Sequence, residues 1–187
     1  MTLLSEILDY NEQFVADKKY EAFTTTKFPD KKMVIFGCMD TRLVELMPKS
    51  MNLKNGDVKI VKNAGATVSH PFGSIMRSIL VAVYELQADE VFVVGHYDCG
   101  MAAIKSDATL QKMLDRGIPQ ETIDTLTYSG IDPKEFLKGF DSPEDNVLNS
   151  VNMIRNHPLM DPKIPVHGLI INPESGKLDL LVDGYSK

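Results

Sequence analysis

The sequence lacks any apolar stretch long enough to cross a bilayer, has no surplus of basic residues and holds almost no cysteine. Each shortage closes off a class of function. The apolar run Ile79-Leu-Val-Ala-Val-Tyr84 is bounded by Ser78 and Glu85, far short of the roughly 20 residues a spanning helix needs, so no membrane role is expected. Twenty Lys and Arg against 26 Asp and Glu leave a net charge of −6 and a pI near 5.2. A polyanion needs clustered cations to neutralise it, so nucleic acid is not an expected partner. The N-terminus carries an acid at Glu6 and no basic start followed by an apolar core, unlike a secretory leader, and a cytoplasmic location is expected. Two cysteines cannot build a disulfide framework. In a reduced compartment such a pair points toward metal or catalysis.

What is present suits one α/β unit. At 187 residues with 43% hydrophobic residues the chain can bury a core without cross-links, and no repeat or low-complexity linker divides it. The apolar spacing from Leu3 to Phe23 predicts an amphipathic helix with a break before Tyr20, packing either on a partner subunit or on its own domain. Residues 1–28 are read as an N-terminal helical arm and 29–187 as a single domain. Lys32–Gly37 and Glu90–Gly95 are continuous apolar runs ending at glycine, expected as buried parallel strands. Asp57–Lys62 alternates and should lie nearer an edge, while Val166–Ile171 and Lys177–Val182 flank the turn-like Asn172–Gly176. Helices are expected over Leu43–Met47, from Phe72 to Leu86 behind His70-Pro71, and from Pro143 to Asn156. Strands alternating with helices argue for an α/β sheet.

The residues with chemistry follow two of those strands. Cys38 comes directly after the first apolar run, and His96-Tyr-Asp-Cys99 after the third. Open α/β sheets bind ligands at the carboxyl ends of strands, where the strand order reverses. Two thiolates and one imidazole suit zinc and leave its fourth tetrahedral position open. His-x-x-Cys alone is a weak signal, and the bland alternative is two small buried cysteines with a hydrogen-bonded core histidine. Asp98 could orient His96 or its loop, or simply face solvent. His70, His157 and His167 have no ligand partner nearby in sequence and are read as structural or surface residues. Met33, Met39, Met47 and Met51 are read as packing residues.

Cys38-Met-Asp-Thr-Arg42, Lys62-Asn-Ala-Gly65, Val94-Gly-His-Tyr-Asp-Cys-Gly100 and Pro165-Val-His-Gly-Leu-Ile-Ile171 together resemble the β-class carbonic anhydrases, and within them the compact Cab-type branch. The resemblance spans roughly residues 30 to 182, with the N-terminal helix weakly matched. It implies a Rossmann-like α/β/α sandwich whose mainly parallel sheet has order 2-1-3-4 plus an antiparallel edge strand, in a homodimer or dimer-based oligomer. It implies zinc on Cys38, His96 and Cys99, and an Asp40–Arg42 catalytic dyad, with Asp40 a possible fourth ligand in a closed state. Gly65 matches a position whose backbone amide lies near the substrate.

The activity implied is hydration of carbon dioxide to bicarbonate and a proton through a zinc-bound hydroxide, with Asp40 orienting the hydroxide and Arg42 keeping that carboxylate ionised. Two thiolates cancel the formal charge of zinc, so activity is expected to rise at alkaline pH. The alternatives are hydrolysis of a CO2-like molecule such as carbon disulfide, or a non-catalytic zinc or redox-binding protein. The chain has no tryptophan, where the bicarbonate-inhibited branch uses one in its regulatory pocket. Pro29-Asp-Lys-Lys32 stands where plant-like members carry a pocket glutamine.

Overall fold

The two most apolar runs become the centre of one sheet in the computed structural model, which describes residues 1–186. Five strands, β1 (Met33–Cys38), β2 (Val58–Asn63), β3 (Glu90–His96), β4 (Val166–Ile171) and β5 (Leu178–Val182), lie in the order β2-β1-β3-β4-β5. All neighbours pair parallel except β4 with β5, which closes the edge antiparallel. The order and the antiparallel edge are those expected. Every residue of β1 is buried, as continuous hydrophobicity in a central strand requires, while β2 is half-covered at the edge.

Seven α-helices among the described residues complete the fold: α1 (Leu3–Ala16), α2 (Leu43–Ser50), α3 (Ser74–Tyr84), α4 (Ser106–Asp115), α5 (Gln120–Tyr128), α6 (Pro133–Phe136) and α7 (Pro143–Arg155). Leu43 and Met47 of α2, Met76, Ile79 and Ala82 of α3, and Val147, Val151 and Ile154 of α7 are the buried apolar residues that these helices turn toward the sheet. A Cβ added to Gly37 would meet Met47, and one added to Gly95 would meet Val147. Gly37 pairs with Val94, so these successive positions point to opposite faces, and α2 and α7 cover opposite sides of the sheet.

Several boundaries differ from the sequence expectation for local reasons. The N-terminal helix stops at Ala16, because Lys18 turns left-handed at φ 55° before a single 3-10 turn over Lys19–Phe23. α3 starts at Ser74 rather than Phe72, since Pro71–Gly73 form a turn closed by the Gly73 amide on the His70 carbonyl at 3.1 Å. Met39 is not a packing residue: at 64% exposure it projects outward just past the end of β1, whereas Met33 and Met47 are buried as expected.

Strand order reverses between β1 and β3: the chain leaves β1 toward β2 on one side and returns to β3 on the other. A crevice opens at the carboxyl ends of such a pair. Cys38 is the last residue of β1 and His96 the last of β3, so the strands themselves deliver both side chains there.

Candidate metal centre

Cys38, His96 and Cys99 meet at this crevice. All three are buried, and one ligand atom from each lies within 4.8 Å of the others, the only such group among the described residues. The two sulfurs are 4.0 Å apart. Two zinc–sulfur bonds of about 2.3 Å at a tetrahedral angle place sulfurs roughly 3.8 Å apart, so zinc fits with little movement.

The histidine is prepared for the same task. His96 Nδ1 lies 2.8 Å from the Tyr97 carbonyl, and a carbonyl can only accept, so the ring proton sits on Nδ1. The Nε2 lone pair is then free. That atom is buried and has no hydrogen-bond partner, a costly state for a polar atom unless something else occupies it. A backbone carbonyl on the far nitrogen is the usual way a metal-binding imidazole is held.

The two cysteine sulfurs, 4.0 Å apart, push each other's titration in opposite directions. The Cys99 hydrogen bond pulls the Cys38 pKa down to about 4 against the opposing effect of burial, helped by His96 and by the Asp40 and Gly65 amides. Cys99 is pushed up, first by the Cys38 thiolate and then by burial. Burial alone would lower His96, but the neighbouring Cys38 sulfur, the Tyr97 carbonyl and the Asp40 charge raise it. A divalent cation would take the place of the thiol protons, because metal ligands bind deprotonated.

Beside this group Arg42 forms a two-pronged contact with Asp40. Its Nε donates to Oδ1 at 3.0 Å and Nη2 to Oδ2 at 2.9 Å, while the Arg42 amide also donates to Oδ1 at 2.9 Å. The arginine holds the Asp40 carboxyl well down, to about 2. Asp40 Oδ2 stands 3.8 Å from His96 Nε2, close to the cysteine–histidine group while bound to Arg42. Asp98 neither orients His96 nor stands alone: its exposed carboxylate accepts from Arg42 Nη1 at 2.9 Å, and its carbonyl from Nη2 at 3.0 Å.

Gly65 borders the group from the turn Ala64–Ala66, and its amide donates to Cys38 Sγ at 3.3 Å. Its φ of 81° and the 2.7 Å that would separate an added Cβ from Phe140 Cε1 both demand glycine. Sequence reading missed the residues that hold this turn. Asn146 Nδ2 donates to the Gly65 carbonyl at 2.9 Å, and Ser150 Oγ to the Ala66 carbonyl at 3.2 Å. Their one available signal is two polar residues a helical turn apart among Val147, Val151 and Ile154. The remaining histidines stay apart from the centre: Nδ1 of His70, His157 and His167 accepts from the amides of Phe72, Leu159 and Gly184.

Residues 33–178 match the protein-family model described as carbonic anhydrase. The chain is 60% identical over 186 residues, the full length of both, to Bacillus subtilis YtiB, named as a candidate carbonic anhydrase. The crystal structure of β-carbonic anhydrase isoform I from Trichomonas vaginalis superposes with a TM-score of 0.90 at 34% identity, covering 99% of this chain and 100% of that one. A carbon disulfide hydrolase from Saccharolobus solfataricus is 26% identical over 189 residues, 94% of this chain and 89% of its own.

Proposed function

Because the chain belongs to the β-class carbonic anhydrase family, we propose that it reversibly hydrates carbon dioxide to bicarbonate and a proton, with zinc on Cys38, His96 and Cys99. The observation that carries this reading is the juxtaposition of an unpartnered His96 Nε2 and two close sulfurs with the Asp40–Arg42 fork. When bound there, zinc supplies the Lewis acidity that makes water a nucleophile near neutral pH. Asp40 accepts a hydrogen bond from the attacking water and so points its lone pair at the substrate carbon. Arg42 keeps Asp40 ionised and fixed, and Asp98 holds Arg42 from its other side. With both its oxygens engaged by Arg42, Asp40 would leave a metal held by Cys38, His96 and Cys99 a position open to solvent. Gly65, packed beside Phe140 and Met101, sets its amide and an apolar wall next to the metal centre, surroundings that suit a small apolar substrate such as CO2.

The same reading includes a cytoplasmic location, where Cys38 and Cys99 remain reduced for metal binding, and a homodimer. α1 supports the dimer: Leu3, Leu4, Ile7, Leu8, Tyr10 and Val15 are all more than half exposed, and no residue of the helix is buried. An isolated helix of this length is marginal in water, so its apolar side needs a second copy to cover it. No helix among the described residues is long and apolar enough to cross a membrane.

Stopped-flow CO2 hydration on protein of measured zinc content tests the function, with carbon disulfide consumption followed in parallel. Hydration rising toward alkaline pH is expected, since two thiolates weaken the acidifying effect of zinc. Zinc-loaded protein without hydration at any pH overturns the proposal, and carbon disulfide turnover alone would transfer the site to the hydrolase reaction.

A further inference from the structure

The turn beside Cys38 is strained, and α7 holds it in place. Gly65 and Ala66 are consecutive left-handed residues at φ 81° and 55°, a conformation that a residue with a Cβ rarely adopts and that persists only where its surroundings impose it. Two side chains from α7 do so. Asn146 Nδ2 donates to the Gly65 carbonyl at 2.9 Å while Asn146 Oδ1 accepts from Thr67 Oγ1 at 2.9 Å. Ser150 Oγ donates to the Ala66 carbonyl at 3.2 Å and accepts from the Val68 amide at 3.1 Å. Both are more than nine-tenths buried, at 6% and 1% exposure.

The helix carrying them is itself fixed. A Cβ on Gly95 would stand 2.5 Å from Val147 Cγ2, and one on Gly168 would lie 3.0 Å from Val147 Cγ1 and 3.2 Å from Val151 Cγ2. α7 therefore sits on a glycine floor of β3 and β4, with little freedom to slide. What the clamped turn presents to the metal centre is the Gly65 amide, 3.3 Å from Cys38 Sγ.

We infer that Asn146 and Ser150 are positioning residues of the metal centre, which hold the Gly65 amide against Cys38 Sγ and so limit how much charge that sulfur gives the metal. The inference rests on Cys38 being a metal ligand. An N–H donor stabilises charge on sulfur, weakens its donation and leaves the metal more electrophilic, in part offsetting the two thiolates. A merely structural clamp would join α7 to the turn without reaching the metal's electronic state.

Cobalt(II) in place of zinc makes the sulfur visible. In Asn146→Ala and Ser150→Ala the thiolate-to-cobalt absorption band should move to longer wavelength, and Ser150→Thr, which keeps the hydroxyl, should restore it. In the metal-free full chain the Gly65 amide should exchange with solvent at least about tenfold faster in both alanine variants. An unmoved band and unchanged exchange in folded, cobalt-loaded variants overturn the inference. Should Asn146→Ala not fold, the Ser150 pair still decides. In the wild type loaded with NMR-active cadmium, the Gly65 amide proton should show scalar coupling to the metal through Cys38, and its absence also counts against the inference. Failure of the wild type to bind cobalt through Cys38 would instead sink the ligand reading itself.

Discussion

Two histidines sit at opposite ends of the β3–β4 pair. His96 closes β3 beside the two cysteines, while His167 lies near the start of β4 opposite Phe92. Both are buried, and in both Nε2 lacks a hydrogen-bond partner. The difference lies on the other nitrogen. His96 Nδ1 meets a carbonyl and must carry the proton, leaving a lone pair on Nε2. His167 Nδ1 accepts from the Gly184 amide at 3.1 Å, so its proton sits on Nε2, facing Glu90 Oε2 at 3.4 Å. The first ring can ligate a metal, and the second, with its lone pair taken by the Gly184 amide, is stacked on Phe92 with centroids 4.5 Å apart. One backbone contact separates a ligand from a packing residue.

The largest way to break this comparison is to remove a ligand at one end only. His96→Ala or Cys38→Ser should weaken zinc binding by more than about a hundredfold, since losing even an outer partner of a ligand costs about 10–100-fold. Zinc retained after dialysis, measured per chain, checks this. His167→Ala should keep its zinc.

Beside the metal end, Arg42→Ala should retain zinc but lower kcat by about a hundredfold, the scale seen when a fixed polar contact to the reacting atoms is lost. Its pH dependence carries a sign. Arg42 depresses the Asp40 pKa to about 2, so its removal lets the carboxyl rise toward the ordinary range near 4. The loss of activity on acidification should therefore begin at a higher pH in the variant, which a pH series of kcat/KM would detect.

The smallest effect belongs to the other end. His167→Ala strands the Gly184 amide and empties the space between Phe92 and Tyr185. It should cost about 2 kcal/mol, a fall of about 4–8 °C in Tm, with hydration per bound zinc unchanged. A matching loss of turnover would show that the two ends are not independent.

How much of this was legible in sequence follows the range of each interaction. β1 and β3 were readable because their apolar runs are local and end at the residues that matter, Cys38 and His96. The strand order came from family resemblance, since periodicity says nothing about which strands are neighbours. Asp98 was seen as a carboxylate near a ligand, but its partner Arg42 is 56 residues away, and local pattern had no means to pair them. Asn146 went unnoticed because its bond to Gly65 spans 81 residues and its purpose depends on two glycines that seat α7 on the sheet. Met39 was misplaced because its apolar neighbours belong to β1, while Met39 itself lies past the strand's end.

X-ray absorption at the zinc edge of the loaded wild-type chain tests the metal assignment most directly. The account predicts two sulfur neighbours at about 2.3 Å and two lighter nitrogen or oxygen neighbours, one of them an imidazole. A first shell without sulfur, or one unchanged in Cys38→Ser, would contradict it.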